Sequence, residues 1–212
     1  MIDIPSLLMG KAMGGGGSGG GDEPKLPSEY QEVEYLSFTP HAGILVNIPQ
    51  NAAWEIEVTA NSLPSSPYGR VAFGYRGTSS ENNDFGFQIN ANSSTFNGWI
   101  RTNSGNMLKE SPITLTEGVK ATYGTAYYGM RTTAFIGRYC KTGNASDYLG
   151  WKGNICRLIG RNPFTGELLA CFIACYRKSD NTMGYYDAVA KVFYYEQDLT
   201  GGGSITKGPD VT

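Results

Sequence analysis

Hydrophobic and polar positions alternate with a period of two along much of the chain. In AWEIEVTA (53–60) the apolar residues occupy every second position, and Glu55 and Glu57 stand between them. This is the pattern of a β-strand with one buried and one wet face. No segment carries a convincing 3.6-residue stripe, so the pattern indicates an all-β protein.

About a dozen segments share this character. Each is a short run of β-branched and aromatic residues bounded by Gly, Asn, Ser or Pro. They are 31–38, 43–48, 53–60, 70–75, 84–90, 95–101, 118–123, 133–138, 153–160, 167–176, 183–189 and 191–195. Strands at this spacing indicate two packed antiparallel sheets that are closed enough to hide their edges.

The start of the chain differs from the rest and divides the protein into three zones. Residues 1–13 form a mostly apolar peptide, residues 14–27 are a flexible Gly/Ser/Pro linker, and residues 28–212 hold the strand segments. Such a linker spans about 20 Å, so the peptide can reach a neighbouring protein. The peptide is predicted to be an anchor that docks into a partner, and a disordered tail or a cloning scar are the open alternatives. The predicted anchor residues are Ile2, Ile4, Leu7, Leu8 and Met9.

The amino-acid composition is typical of a turn-rich β protein and argues against several classes of function. Glycine accounts for 29 of the 212 residues, aromatic residues for 12% and charged residues for 17%. The formal net charge is −2 and the Lys and Arg residues are scattered singly, which argues against nucleic acid as a partner. No apolar run approaches the roughly 18 residues of a membrane span, and Asp3 and Pro5 make a poor signal peptide. We expect neither nucleic-acid binding nor membrane insertion.

The cysteines and the single histidine predict no cofactor. The four cysteines lie in the last third of the chain, at Cys140, Cys156, Cys171 and Cys175. No C-x2-C pair occurs and His41 is the one histidine, so zinc is not predicted, and buried free thiols are expected instead. One alternative, a calcium site, stays open. Its oxygen ligands would be Glu81, Asn82, Asn83 and Asp84.

Four phrases of the sequence resemble one known family. They are LPSEYQEVEYLSF, YLGWKGNICRLIG, CYRKSDNTMGYYDAVAKVFYYEQ and ITKGPDV. They are similar to phrases in concanavalin A-like (laminin-G-like) jelly-roll domains of tail-associated and other virion proteins of phages and prophages of gut bacteria. The resemblance frames residues 28–212 and implies an all-β, two-sheet antiparallel jelly-roll sandwich.

The resemblance also implies a location, a function and partners. It implies a structural protein of a bacteriophage virion, either a tail or fibre component or a capsid decoration, assembled in the bacterial cytoplasm. The expected partners are other virion proteins, through the N-terminal peptide, and a host-surface glycan, and a homo-oligomer is an open alternative. In the closing phrase, MGYYD and KVFYY read as two strands joined by a tight turn in which Asp187 bonds backbone amides. We therefore interpret that phrase as a fold signature.

Catalytic constellations are incomplete. Jelly-roll glycoside hydrolases resemble E-x-D-x-E or E-x-D-x-x-E on one strand, with two carboxyl groups about 5–5.5 Å apart. Here Thr59 and Ala60 stand where the third carboxylate would be. The sequence has no G-x-S-x-G motif, which would supply a serine nucleophile for His41. The segment GGGGSGGG lacks the Lys-Ser/Thr end of a phosphate-binding loop. The sequence predicts that the protein is not an enzyme.

One strand carries the residue types that recognise sugars. FNGWIRTN (96–103) combines an aromatic ring with amide and guanidinium groups, and alternation places residues 97, 99 and 101 on one face. The predicted ligand-binding residues are Trp99, Asn97, Arg101, Tyr75 and Arg76. Core packing is the alternative for Trp99. The alternative functions are a carbohydrate-binding module of a bacterial surface or secreted protein and, third, a glycoside hydrolase.

Overall fold

The structure of the protein is a computed structural model. It describes residues 24–63, 70–75, 85–90, 93–101, 107–109, 111–124, 132–138, 150–196 and 203–212, with only the backbone described at 101 and 107–109. These ranges form β-strands and contain no helix, and so none that could cross a membrane. The strands belong to two antiparallel sheets.

The two sheets contain nine and seven of the described strands. The nine-stranded sheet holds β1 (Tyr30–Glu32), β2 (Leu36–Phe38), β4 (Ala53–Ala60), β10 (Lys120–Gly124), β12 (Gly153–Arg161), β13 (Leu168–Arg177), β14 (Thr182–Asp187), β15 (Val192–Tyr195) and β16 (Ile205–Lys207). The seven-stranded sheet holds β3 (Ile44–Asn47), β5 (Arg70–Tyr75), β6 (Phe85–Ile89), β7 (Thr95–Arg101), β8 (Met107–Lys109), β9 (Ile113–Thr114) and β11 (Thr133–Ile136). Their main paths run β10-β4-β12-β13-β14-β15 and β3-β11-β5-β6-β7-β8.

The sheets pack face to face around one apolar core. The Trp54 ring of β4 meets the Phe73 ring of β5 edge-on, with centroids 4.9 Å apart, so the contact joins the two sheets. Trp151 is fully buried and packs against Phe96 at 5.8 Å. Aromatic rings of this size supply much of the buried apolar area. The predicted all-β sandwich of two antiparallel sheets is confirmed, and the arrangement is consistent with a jelly roll.

The segment 31–38, expected as one strand, is two strands with a break between them. The amide of Val33 donates to the carbonyl of Ala174, and the next amide, of Glu34, donates to Pro209. The chain therefore leaves β13 at this point, and β2 pairs with β12 and β16 instead. The prediction also missed β8, β9 and β16, which are two or three residues long and too short to show an alternation.

Two local predictions agree with the structure. The Asp187 carboxylate accepts hydrogen bonds from the amides of Val189 and Ala190 in the turn between β14 and β15. The cysteines in the described ranges, Cys156, Cys171 and Cys175, are free and buried. Cys140 lies outside the described residues. These features belong to the packing of the fold.

Candidate functional site

One face of the nine-stranded sheet points away from the core and carries a continuous row of side chains. Register places six residues at directly opposite positions from β10 to β15: Thr122, Glu57, Arg157, Ile173, Tyr186 and Phe193. Directly opposite residues share a sheet face, and neither Ile173 nor Tyr186 belongs to the core between the sheets. The row is polar at the β10 end and aromatic at the β15 end.

The aromatic end of the row is a cluster of rings that we call the aromatic platform: Tyr30, Tyr186, Phe193 and Tyr195. The Tyr30 ring lies 5.1 Å from that of Tyr186 and 4.9 Å from that of Phe193, and the rings of Phe193 and Tyr195 stack at 5.8 Å. A Cβ at Gly184 would lie 2.8 Å from the Phe193 ring. The glycine therefore lets this ring lie directly over the strand backbone.

A charged pair borders the platform. The Arg177 guanidinium lies 5.6 Å from the Phe193 ring centroid and 5.7 Å from that of Tyr195. Its Nη2 donates to Asp180 Oδ2 at 2.6 Å, and its Nε donates to both carboxylate oxygens, at 3.1 and 3.2 Å. The bonds from Arg177, followed by the one from the Thr182 amide, hold the pKa of Asp180 well below its usual range. The paired guanidinium and carboxylate therefore stand beside the partly exposed rings of Tyr30, Phe193 and Tyr195, while Tyr186 is buried beneath them.

A cleft of about 550 Å³ opens at the polar part of the same face. It forms where β12 and β13 part, because β2 pairs with the start of β12 while β1 pairs with the end of β13. A register shift between Ile155 and Arg157 leaves Cys156 as an extra residue at this fork. The charged residues of the lining are Glu32, Glu34, Glu57, Asp210, Lys120 and Arg157.

Ion pairs organise the cleft. Lys120 Nζ lies 2.9 Å from Glu57 Oε1, and this hydrogen bond raises the pKa of Lys120. Asp210 accepts a bond of 2.5 Å from Lys207, which lowers the pKa of the Asp210 carboxyl. Burial, with Glu57 next in importance, raises the pKa of the Cys156 thiol to about 12, so the thiol is neutral and a poor nucleophile. The cleft offers hydrogen-bond donors and acceptors.

The described residues do not provide a metal centre. No group of three or more His, Cys, Asp or Glu side chains within them is placed to hold a metal ion. The loop of the calcium prediction, residues 81–84, lies outside the described residues. The calcium site stays a prediction.

The structure brings two of the predicted ligand-binding residues together, on the other sheet. Trp99 stands opposite Gly86 and Asn97 opposite Gln88, so the two share the outer face of the seven-stranded sheet, as alternation predicted. Trp99 is 3% exposed and Asn97 2% exposed. Tyr75 stands opposite Phe85 and packs against the core, so it lies on the other face of this sheet, where it stacks on Phe135 at 6.5 Å.

Other predicted residues fall outside the described part of the chain. The backbone of Arg101 stands opposite Met107 in the seven-stranded sheet, but its side chain is not among those described. The remaining ones are Arg76, Ile2, Ile4, Leu7, Leu8 and Met9. Their roles stay predictions.

The aromatic platform is the feature of this face that sequence reasoning missed. The closing phrase was interpreted as a fold signature, yet alternation in VFYY separates Phe193 and Tyr195 from Tyr194, whose ring packs against the core. That signal could have identified an outward aromatic surface. The cleft carries no local signal, because its lining comes from distant parts of the sequence.

The fold and this face define an all-β sandwich with an aromatic platform beside a polar cleft. No protein-family model matches the chain, and no curated protein matches it. The case for a function therefore rests on the geometry of the site and on the resemblance of its sequence phrases.

Proposed function

We propose that the chain is a non-enzymatic structural protein of a bacteriophage virion, in the tail, a fibre or a head decoration, whose sandwich binds glycans of the host surface. The observation that carries the binding role is the aromatic platform with Arg177 and Asp180 at its edge. Aromatic rings cover the apolar face of a sugar, and guanidinium and carboxylate groups bond its hydroxyls.

The virion location is supported by the sequence at both ends of the sandwich. The phrases beginning LPSEY and CYRKSD resemble those of virion jelly-roll domains, and residues 14–27 have the composition of a flexible linker. A head on such a linker gains from multivalency, because a second contact forms at effective rather than bulk concentration. Weak single sites would then suffice for attachment.

The non-enzymatic part of the proposal is supported by the carboxylates of β4. Glu57 is engaged by Lys120 at 2.9 Å, and Glu55 is exposed opposite Ile159, an apolar residue. A retaining hydrolase needs two carboxyl groups that face each other across the scissile bond. Cleavage of a polysaccharide that disappears in Glu57→Gln would contradict this part.

A glycan array with the full chain tests the binding role. We expect binding to at least one bacterial surface glycan, and a loss of about tenfold in affinity in Phe193→Leu, which keeps an apolar side chain but removes the ring. The matched control is Phe164→Leu, because Phe164 is 81% exposed and lies on the turn between β12 and β13, away from the platform. Failure to bind any glycan, or equal losses in the two variants, would overturn the proposal.

Deleting residues 1–13 separates the virion protein from a carbohydrate-binding module of a surface or secreted protein. A virion protein loses its incorporation into particles while its sandwich still folds and binds glycan. A carbohydrate-binding module of a surface or secreted protein does not need these residues, so the deletion leaves its location and its glycan binding unchanged. The readout is the amount of the protein in purified particles, with circular dichroism as the control for folding.

A further inference from the structure

Resting on the proposed function, we infer that the aromatic platform and the cleft are two subsites for one extended oligosaccharide that lies across the strands of the nine-stranded sheet. The ligand class is therefore a linear glycan of several sugar units rather than a terminal monosaccharide. Both subsites belong to one sheet face, so a single chain can occupy them together.

The two subsites are neighbours on one sheet face. Ile173 lines the cleft and stands directly opposite Tyr186 of the platform. Glu32 lines the cleft on the second side, and Tyr30 precedes it by two residues on the same strand, which places both on one face. Ile173 and Tyr186 are only 5% and 7% exposed, whereas Tyr30 is partly exposed and Glu32 is exposed, so the accessible connection between the subsites runs along β1.

The separation of the subsites sets the length of the ligand. Arg157 and Phe193 belong to the same row and are three strand spacings apart, from β12 to β15. Neighbouring strands are separated by about 4.8 Å, so the two positions lie about 14 Å apart. A single sugar ring cannot bridge this distance, whereas an oligosaccharide can.

The two subsites differ in chemistry in a way that suits different parts of a glycan. The platform offers the partly exposed ring faces of Tyr30, Phe193 and Tyr195 for stacking, with hydrogen-bonding groups only at its edges. The cleft offers carboxylate acceptors at Glu32 and Glu34 and cationic donors at Lys120 and Arg157. One sugar unit stacks its apolar face on the platform, and a later unit along the glycan bonds the cleft through its hydroxyls.

Oligosaccharide ladders from disaccharide to octasaccharide test the inference. We would titrate the full chain by calorimetry with β-1,4-glucan, β-1,4-N-acetylglucosamine, β-1,3-glucan and α-1,4-glucan ladders. For the series that binds, we expect affinity to rise about tenfold between the disaccharide and the longer members, and then to level off.

Two variants assign the length dependence to the subsites. Phe193→Leu weakens binding of every length, because each member uses the platform. Glu34→Gln, in the cleft, weakens only the longer members and flattens the length dependence. Glu167→Gln, an exposed carboxylate on the turn between β12 and β13, is the matched control and changes nothing.

The outcomes separate the inference from the proposed function. Binding that is as tight for the disaccharide as for the octasaccharide overturns the inference and leaves glycan binding intact. A length dependence that survives unchanged in Glu34→Gln and in Lys120→Gln also overturns it. If none of the ladders binds while the glycan array shows binding, the inference is overturned and glycan binding stands; if neither shows binding, both fail.

Discussion

The Asp187 carboxylate is 2% exposed and accepts hydrogen bonds from three backbone amides. The donors are Cys171 at 3.2 Å, Val189 at 3.0 Å and Ala190 at 3.3 Å. One side chain therefore ties the β14–β15 turn to the neighbouring strand β13. Buried polar groups that lose such a partner cost the full desolvation of the orphaned donors.

Replacing Asp187 tests this role. Asp187→Ala is expected to lower the free energy of unfolding by about 2–4 kcal/mol, measured by urea denaturation. Asp187→Asn keeps an acceptor oxygen and is expected to lose less. Asp180→Ala, which removes an exposed carboxylate from a surface pair, is the control and should cost least. A similar loss in both alanine variants would show that burial of Asp187 does not matter.

The buried thiols predict a dependence of stability on alkaline pH. Burial is the largest cause that raises the pKa of Cys156 and of Cys175 to about 12, whereas an unfolded thiol ionises near pH 8.5. As pH rises above about 8.5, the unfolded state loses protons first, so the thiols' contribution to stability falls from there through the folded pKa.

Urea denaturation at neutral pH and at pH values above about 9 measures the effect. We expect the free energy of unfolding to fall as pH rises, and to fall less steeply in Cys175→Ala. The two proteins are compared by the slope of the free energy of unfolding against pH, because Cys175→Ala is also less stable at neutral pH. An identical slope in the two proteins would argue that Cys175 does not titrate differently on unfolding.

At the scale of single residues, the sequence predicts which side chains share a sheet face. It does not predict how far other segments bury that face. Alternation correctly separated Trp54 from Glu55 and correctly put Asn97 beside Trp99. It could not reveal that Trp99 is only 3% exposed. Burial on the outer face of a sheet depends on contacts from other segments, and a period of two contains no information about them.

At the scale of elements, the β14–β15 hairpin depends on one glycine. A Cβ at Gly184 would clash with the carbonyl oxygen of Tyr194 and would lie 2.8 Å from the Phe193 ring. Backbone and a ring of the platform occupy the space that a side chain would need. The same residue therefore sets both the strand pairing and the position of the platform.

Gly184→Ala is expected to lower the free energy of unfolding by about 1–3 kcal/mol through overpacking. The matched control is Gly124→Ala in β10, where the nearest atom to the added Cβ, the carbonyl oxygen of Trp54, is 3.9 Å away. Urea denaturation of the two variants compares them directly. Equal stabilities would refute the claim that the Phe193 ring is pressed against the strand.

Long alternating segments allowed some elements to be predicted to the residue. The bounds of β4 and β7 match segments 53–60 and 95–101. The division of 31–38 did not follow from the sequence, because the break at Val33 depends on Ala174 and Pro209, which are remote in the chain. The cleft forms at that break, which explains why the same reasoning missed it.

On the scale of the whole molecule, β16 completes one corner of the sandwich. It pairs with β2, which pairs with β12 on its other side. Leu36 and Phe38 of β2 are buried core residues. Removal of β16 would leave β2 as an edge strand that carries two large apolar side chains.

Hydrogen exchange tests the contribution of β16. In a chain that ends at residue 202, the amides of 36–38 are expected to exchange faster by at least about tenfold, since one ladder of β2 is lost and local opening becomes easier. The peptide that covers β4 is the internal control, because β4 lies between β10 and β12. Unchanged protection of 36–38 would mean that β16 adds nothing to this corner.

The same corner brings together two segments that are far apart in sequence. Val33 and Asp210 form an isolated bridge, and the amide of Val211 donates to the carbonyl of Glu32 at 3.0 Å. A circular permutant that links the segment after Asp210 to the segment before Tyr30, and is cut open at the exposed Phe164, is expected to keep the pairings of β1, β2 and β16, because this bridge already holds the two segments side by side. Its cut ends would emerge at the β12–β13 turn, so a fused reporter could be carried there without obstructing the rings around Phe193.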